Sequence, residues 1–371
     1  MSGKESPTAQ DSRMASKTPL VMLVTHSLGA GGAERMVYEL ARHLPEEGFD
    51  VEVVTVLGGG ELLPMFVESG IRVKVLERRG FFGIGTILEL WRIFRAEQPS
   101  VVHTHLFLAD TWGRIAAWLA RVPVVISTEH NVNPSYGIGK RLLNRCLAPP
   151  TDAFVAVSAE VKRVLKEKDG IPAKKIKVIK NGIDMGSVLA RGAGLFKDVP
   201  RLLCVGRLFP QKDYATLFKA LALVKRPWRL GIAGTGPLER ELRALAERLH
   251  IAARIEWLGY RDDVSVLLKE SDVLCFPSRY EGLGLAPIEA AAAGVPVVAS
   301  DLPPLREVFA EDDITFVPAG DVPAWSAALN KVLGDPADAV MRAVRTAPKT
   351  RAEFDVKIMV KKYTRLYREF V

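Results

Sequence analysis

What most constrains this chain is an alternation: short apolar runs, each followed by a longer stretch with helical spacing, repeated along its length. PLVMLVTHSL, VEVVTVL, IRVKVLE, VVHTHL, VPVVISTEH, AFVAVS and KVIKNG read as buried strands ending in polar or glycine-containing turns. Strands alternating with helices make parallel sheets covered on both faces. After the turn signal Asn181-Gly182-Ile183-Asp184 the pattern becomes irregular, then restarts with RLLCVGRL, WRLGIAG, RIEWLG, DVLCFPS and VPVVAS. The expectation is an α/β protein of two parallel-sheet domains, 19–184 and 200–351, joined by a linker at 185–199. Residues 1–18 form a disordered lead-in. A last amphipathic helix, 352–371, carries Phe354, Ile358, Tyr363, Leu366, Tyr367 and Phe370 on a stripe that must dock on something.

Composition sets the class. With 371 residues, 48% hydrophobic and 25% charged, the chain has enough apolar surface for two cores of ordinary size. No apolar run approaches the roughly 20 residues that span a bilayer, and the polar start lacks the layout of a secretory signal. Cys146, Cys204 and Cys275 form no metal-type cluster and read as buried, inert thiols of a reducing compartment. A net charge of +8 without a recognisable nucleic-acid module points to anionic small molecules and an anionic membrane surface.

Four segments carry the chemistry. Gly29-Ala30-Gly31-Gly32-Ala33-Glu34 lies between the first strand and its helix. There bare backbone and a helix N-terminus can meet an anion, or the segment is a plain tight turn. It is a poor dinucleotide loop: Glu34 replaces the third glycine, and Glu52 sits near the start of the second strand instead of its far end. His103 and His105 stand two apart on a strand, facing one side, with His130 ending the next run. This suits a metal set or an imidazole held near a reacting hydroxyl, with His103 the inner, packed residue and His105 the outer. Arg207 and Lys212, five apart, flank a turn after the second domain's first strand and suit a diphosphate; solvated surface charge is the plainer reading. Glu281 and Glu289 bracket Gly282-Leu283-Gly284-Leu285, with Pro287 fit for a helix's first turn and Gly294 for its C-cap. One carboxylate can reach a sugar and the other a ribose diol, while the helix N-terminus holds a phosphate.

Together these residues resemble glycosyltransferase family 4. Glu281 and Glu289 match its Glu-x7-Glu signature, Arg207 and Lys212 its diphosphate clamp, and Gly31 to Arg35 with the His-x-His strand its acceptor-side elements. The resemblance covers 20–371 and implies the GT-B fold, two Rossmann-like domains facing a central cleft, with the last helix packing back on the N-terminal domain. It implies that Glu289 binds the ribose and that Arg207 and Lys212 bind the diphosphate. Gly284 and Leu285 offer backbone N–H groups to a phosphate, and Glu281 binds sugar hydroxyls. His105 holds the donor sugar near the acceptor, and Gly31 and Gly32 form the acceptor-side loop. It further implies a retaining, metal-independent hexosyltransferase without cofactor that takes a UDP-linked hexose or N-acetylhexosamine, with GDP-mannose the alternative. The acceptor is a glycan or lipid-linked molecule of cell-envelope synthesis, and the enzyme is cytoplasmic. Rival readings are a metal-dependent hydrolase built on His103, His105 and His130, a non-catalytic nucleotide-sugar-binding subunit and an NAD-linked oxidoreductase. Six cations against two acids between Arg72 and Arg95, with Phe81, Phe82 and an apolar stripe (Ile84, Ile87, Leu88, Trp91, Phe94), mark an interfacial segment for the inner membrane face, or a stripe that packs on the sheet.

Overall fold

The computed structural model describes residues 18–77, 83–132, 134, 136–192 and 194–371. In chain order the first half runs β1 (Leu20–Thr25), α1 (Gly32–His43), β2 (Asp50–Thr55), α2 (Leu63–Glu68), β3 (Arg72–Val75), α3 (Ile84–Glu97) and β4 (Val101–His105). It continues with α4 (Phe107–Ala120), β5 (Val124–Glu129), α5 (Ile138–Cys146), β6 (Ala153–Ala156), α6 (Ala159–Glu167) and β7 (Ile176–Val178). The second half runs β8 (Arg201–Val205), α7 (Tyr214–Ala222), β9 (Arg229–Ala233), α8 (Glu239–Arg248), β10 (Ile255–Gly259), α9 (Val264–Glu270) and β11 (Val273–Phe276). Then come α10 (Leu285–Ala293), β12 (Val297–Ser300), α11 (Pro303–Arg306), β13 (Thr315–Val317), α12 (Val322–Gly334), α13 (Pro336–Glu353) and α14 (Val356–Arg368).

The strands form two sheets of seven and six, ordered β3-β2-β1-β4-β5-β6-β7 and β10-β9-β8-β11-β12-β13, and every pairing in them is parallel. Each order reverses beside the sheet's first strand, β1 against β4 and β8 against β11. In open α/β sheets the crevice outside the carboxyl ends of two such strands is where ligands gather. The glycine turn and the His-x-His strand end at the first crevice; the Arg207–Lys212 turn and the Glu281 loop end at the second. β13 was not expected, because three residues of TFV are too short to register as a run.

The last helix is shorter than its pattern suggested. α14 starts at Val356 after a break at Phe354, capped by Asp355, whose carboxylate accepts from the Lys357 N–H (2.8 Å). Its buried stripe is Val356, Met359, Val360, Tyr363, Leu366 and Tyr367, in one core with Val21, Leu23, Val101 and Ile126 of the first sheet. Ile358 and Phe370 lie off it, Phe370 being exposed.

The stripe of α3 is divided: Phe94 is buried, with Leu90, among Met22, Val54 and Trp112, and Ile87 and Trp91 pack against them, whereas Ile84 and Leu88 stay exposed. Arg78, Arg79, Phe81 and Phe82 of the same segment lie outside the described residues. Among the described residues no helix is long and apolar enough to cross a membrane. Glu52 lies within β2 and pairs with Lys74 (3.0 Å). Cys204 and Cys275 are buried, whereas Cys146 is exposed on α5, contrary to the expectation that all three are buried.

Candidate active site

The second crevice is built around Lys212. β8 delivers the chain to Gly206, whose carbonyl accepts the Tyr214 hydroxyl (2.7 Å), and a short 3-10 turn, Pro210–Lys212, aims Lys212 back over the strand ends. Its ammonium lies on the Phe276 ring, 4.5 Å from the centroid, and donates to Glu281 Oε1 at 2.6 Å. Both partners are largely withdrawn from water, with side-chain exposures of 19% and 9%, so solvated surface charge does not describe this lysine. Arg207 does reach solvent; its guanidinium rests 5.1 Å from the centre of the Phe209 ring.

Beyond β11 the loop turns into α10 at Gly284, which adopts φ +89, a left-handed value that a side chain would resist. No side chain caps α10, and its first turn carries no acid, so the N–H groups at its start stay available to an anion. Gly282 is needed for a different reason: a Cβ there would strike the carbonyl oxygen of His130. The Glu281 loop therefore presses on the residues that follow β5, and the two halves meet. Asn131 donates to Gln211 across this junction (3.3 Å), and the Leu285 side chain lies 3.1 Å from where a Cβ on Gly32 would stand. Glu289, one turn into α10, is partly buried; burial raises its carboxyl above the usual range, and Arg35 of α1 pulls it down.

Across the cleft, Gly31 is the N-cap of α1, and the carboxyl of Glu34 folds back over it. Burial raises the Glu34 carboxyl, while the charge of Arg207 pulls it down. The first glycine turn is thus covered by the chain's own carboxyl, within the field of Arg207.

The three histidines form one buried set. His103 hydrogen-bonds through Nδ1 to the Tyr367 hydroxyl and through Nε2 to that of Thr128, each at 2.7 Å. Its ring lies 4.1 Å from that of His105, whose Nδ1 is 3.1 Å from His130 Nε2. Burial holds His103 and His130 down to about 3 and His105 well below the usual imidazole value. The expected contrast between an outer His105 and an inner His103 is therefore incorrect: both are fully buried, because both face the α14 side of the sheet. His130 is the one partly exposed member and abuts the Glu281 loop. His105 Nε2 and His130 Nδ1 have no hydrogen-bond partner among the described residues. As metal ligands the three are ill placed, since both nitrogens of His103 are engaged by hydroxyls. Among the described residues no group of three or more His, Cys, Asp or Glu side chains is arranged to hold a metal ion.

Spacing in the sequence does not single out Asn131 and Gln211, which meet only across the two domains. It does contain Gly234-Thr235-Gly236 after β9, which repeats the Gly-x-Gly of the first domain's turn. The Thr235 carbonyl accepts the Leu208 N–H (2.9 Å) and steadies the Arg207 turn.

Two parallel sheets meeting across a cleft at their switch points define the GT-B arrangement. Anabaena HepE, solved in complex with UDP and glucose, shares it with a TM-score of 0.86 at 20% identity over 95% of this chain and 100% of that one. A family model described as Glycosyl transferases group 1 matches 189–350, and one described as Glycosyltransferase Family 4 matches 30–186. The chain belongs to this family: it is a group 1, family 4 glycosyltransferase. It is 27% identical over 297 residues, 73% of this chain and 76% of the relative, to an Escherichia coli enzyme. That relative is UDP-Gal:alpha-D-GlcNAc-diphosphoundecaprenol alpha-1,3-galactosyltransferase. It is also 29% identical over 365 residues, 88% of each chain, to glycogen synthase of Mycobacterium tuberculosis.

Proposed function

We propose that this glycosyltransferase moves a hexose or N-acetylhexosamine from a UDP-sugar to a glycan or lipid-linked acceptor, with retention and without a metal, on the cytoplasmic side of the cell envelope. The observation that carries the reading is the buried Lys212–Glu281 pair beside the uncapped start of α10. An ammonium and free N–H groups converge there at a switch point, and a diphosphate fits both. Lys212 exchanges Glu281 for a phosphate oxygen, freeing the carboxylate for sugar hydroxyls. Arg207 swings from Phe209 to the same diphosphate, Gly284 and Leu285 supply backbone contacts, and Glu289 accepts from the ribose diol. The names of the Escherichia coli relative and of the HepE complex support a UDP donor.

In the reaction the bond from the anomeric carbon to the phosphate oxygen breaks as the acceptor oxygen attacks from the same face. The departing phosphate takes the acceptor's proton, and Lys212, Arg207 and α10 stabilise its charge. His130, poised by its bond to His105, meets the donor sugar; His105 acts through it, and Gly31 and Gly32 border the acceptor path. Contact between the Glu281 loop and His130 excludes water.

Thermal-shift screening against UDP, GDP and ADP and their sugars, followed by NMR of the product anomer, tests the reading. UDP should raise the unfolding temperature with or without EDTA. A preference for GDP, or an inverted anomer, would refute the corresponding part.

A further inference from the structure

Helix α5 stands out because none of its nine residues, IGKRLLNRC, is buried. A helix with an apolar stripe normally spends it on the core, yet here Ile138 is 86% and Leu142 57% exposed, one turn apart, with Leu143 and Cys146 exposed beside them. The polar side of α5 holds it down: Arg141 pairs with Asp169 (2.6 Å) and Asn144 donates to the same carboxylate (2.8 Å). The apolar side is therefore presented outward by construction.

The charge around it is one-sided. From Gly137 to Val178 the chain has ten cations and four acids, most of the net excess of the whole protein. Lys166, Lys168 and Lys174 are exposed on α6 and in the loop after it, and that loop is tied to α5 through Asp169. A second copy of this face would meet it with like charge. Exposed Ile and Leu set among lysines and arginines fit a surface that is apolar inside and negative outside.

We propose that α5 and the lysine-bearing loop beneath it seat the N-terminal domain on an anionic lipid bilayer, with Ile138 and Leu142 entering the headgroup layer. The face adjoins the cleft: Lys140 lies 4.7 Å from the Phe107 ring centre and 4.8 Å from that of Tyr136, on the segment that follows His130. An acceptor held in the bilayer would enter from this edge.

Cys146 is the one exposed cysteine, so the full chain can carry an environment-sensitive fluorophore on this face. Vesicles of 7:3 phosphatidylcholine and phosphatidylglycerol should shift its emission to the blue and sediment the unlabelled chain. Affinity should be more than tenfold above that for phosphatidylcholine alone and should fall severalfold in high salt. Ile138→Ser with Leu142→Ser should weaken binding about tenfold, and Lys166→Gln, Lys168→Gln and Lys174→Gln together about fivefold. All five positions are exposed, and far-UV circular dichroism checks the fold of each variant. An unbound wild-type chain, equal affinity for neutral vesicles, or undiminished binding in the lysine variant would overturn the proposal. So would a lipid-independent, concentration-dependent signal from Cys146, which would assign the face to a second copy. Neither readout involves the donor, so the UDP thermal shift stands or falls separately.

Discussion

The two domains are wound alike but carry different side chains at their turns. Each sends its first strand into a glycine-bearing turn, at Gly31-Gly32 in one and Gly206 in the other. In the N-terminal domain a carboxyl, Glu34, covers the turn and its helix N-terminus, and burial has raised it. In the C-terminal domain the turn bears Arg207 and Lys212, and α10 nearby has no acid in its first turn. One fold thus lays a carboxyl over the helix start on one side and leaves a helix start uncapped beside two cations on the other. The winding decides where a ligand sits; the side chains placed at that point decide its charge.

The largest effect should come from breaking the cationic side. Lys212→Ala should lower kcat/KM by about 10²–10³-fold, the usual cost of removing a preorganised donor to developing charge. Because this orphans the buried Glu281, the double change Lys212→Ala with Glu281→Gln should restore stability but not activity. Near wild-type turnover in either would misplace the diphosphate site. Glu289→Ala should be milder, weakening UDP binding roughly ten- to a hundredfold by calorimetry through its lost hydrogen bonds. Unchanged affinity would remove Glu289 from the ribose.

Acid should separate the halves next. His103 and His130 are held down to about 3 and His26 to about 4, all in the N-terminal domain. The single histidine of the other domain, His250, lies in the loop after α8 and is exposed. Depressed folded values mean that these groups stabilise the domain fully above 6.5 and lose that contribution as pH falls, about 1.4 kcal/mol per unit for each. Glu129, raised to about 8 by burial, works the other way. Its contribution is complete below its ordinary value of 4.5 and disappears as pH rises to about 8, which partly offsets the histidines between 4.5 and 6.5. The steepest loss therefore falls below about 4.5, and hydrogen exchange should show the N-terminal sheet opening first. Prior opening of the C-terminal sheet would contradict the contrast. The smallest effect belongs to Glu34→Gln, which should change UDP affinity less than about threefold. A loss as large as that of Lys212→Ala would show that the donor relies on both crevices.

Much of this is legible in the amino-acid sequence. Apolar runs at regular spacing have few ways to bury themselves, so the α/β class and the two sheets follow from the chain alone. The positions of Arg207, Lys212, Glu281 and Glu289 beside turns and a helix start are equally readable, because glycine and proline punctuate local structure strongly. What stays hidden depends on contact between distant segments. No spacing rule says that Lys212 will meet Glu281, or that Gly282 must be bare because His130 arrives there. His103 and His105 look alike on their strand, and only the tertiary structure buries both, His103 against Tyr363 and Tyr367 of α14 and His105 against His103 and His130. Both α3 and α5 carry apolar residues at helical spacing, yet α3 buries Leu90 and Phe94 and leaves only Ile84 and Leu88 outward, while α5 buries none. Periodicity records that a helix has an apolar side; only the tertiary structure supplies, or withholds, the surface that covers it.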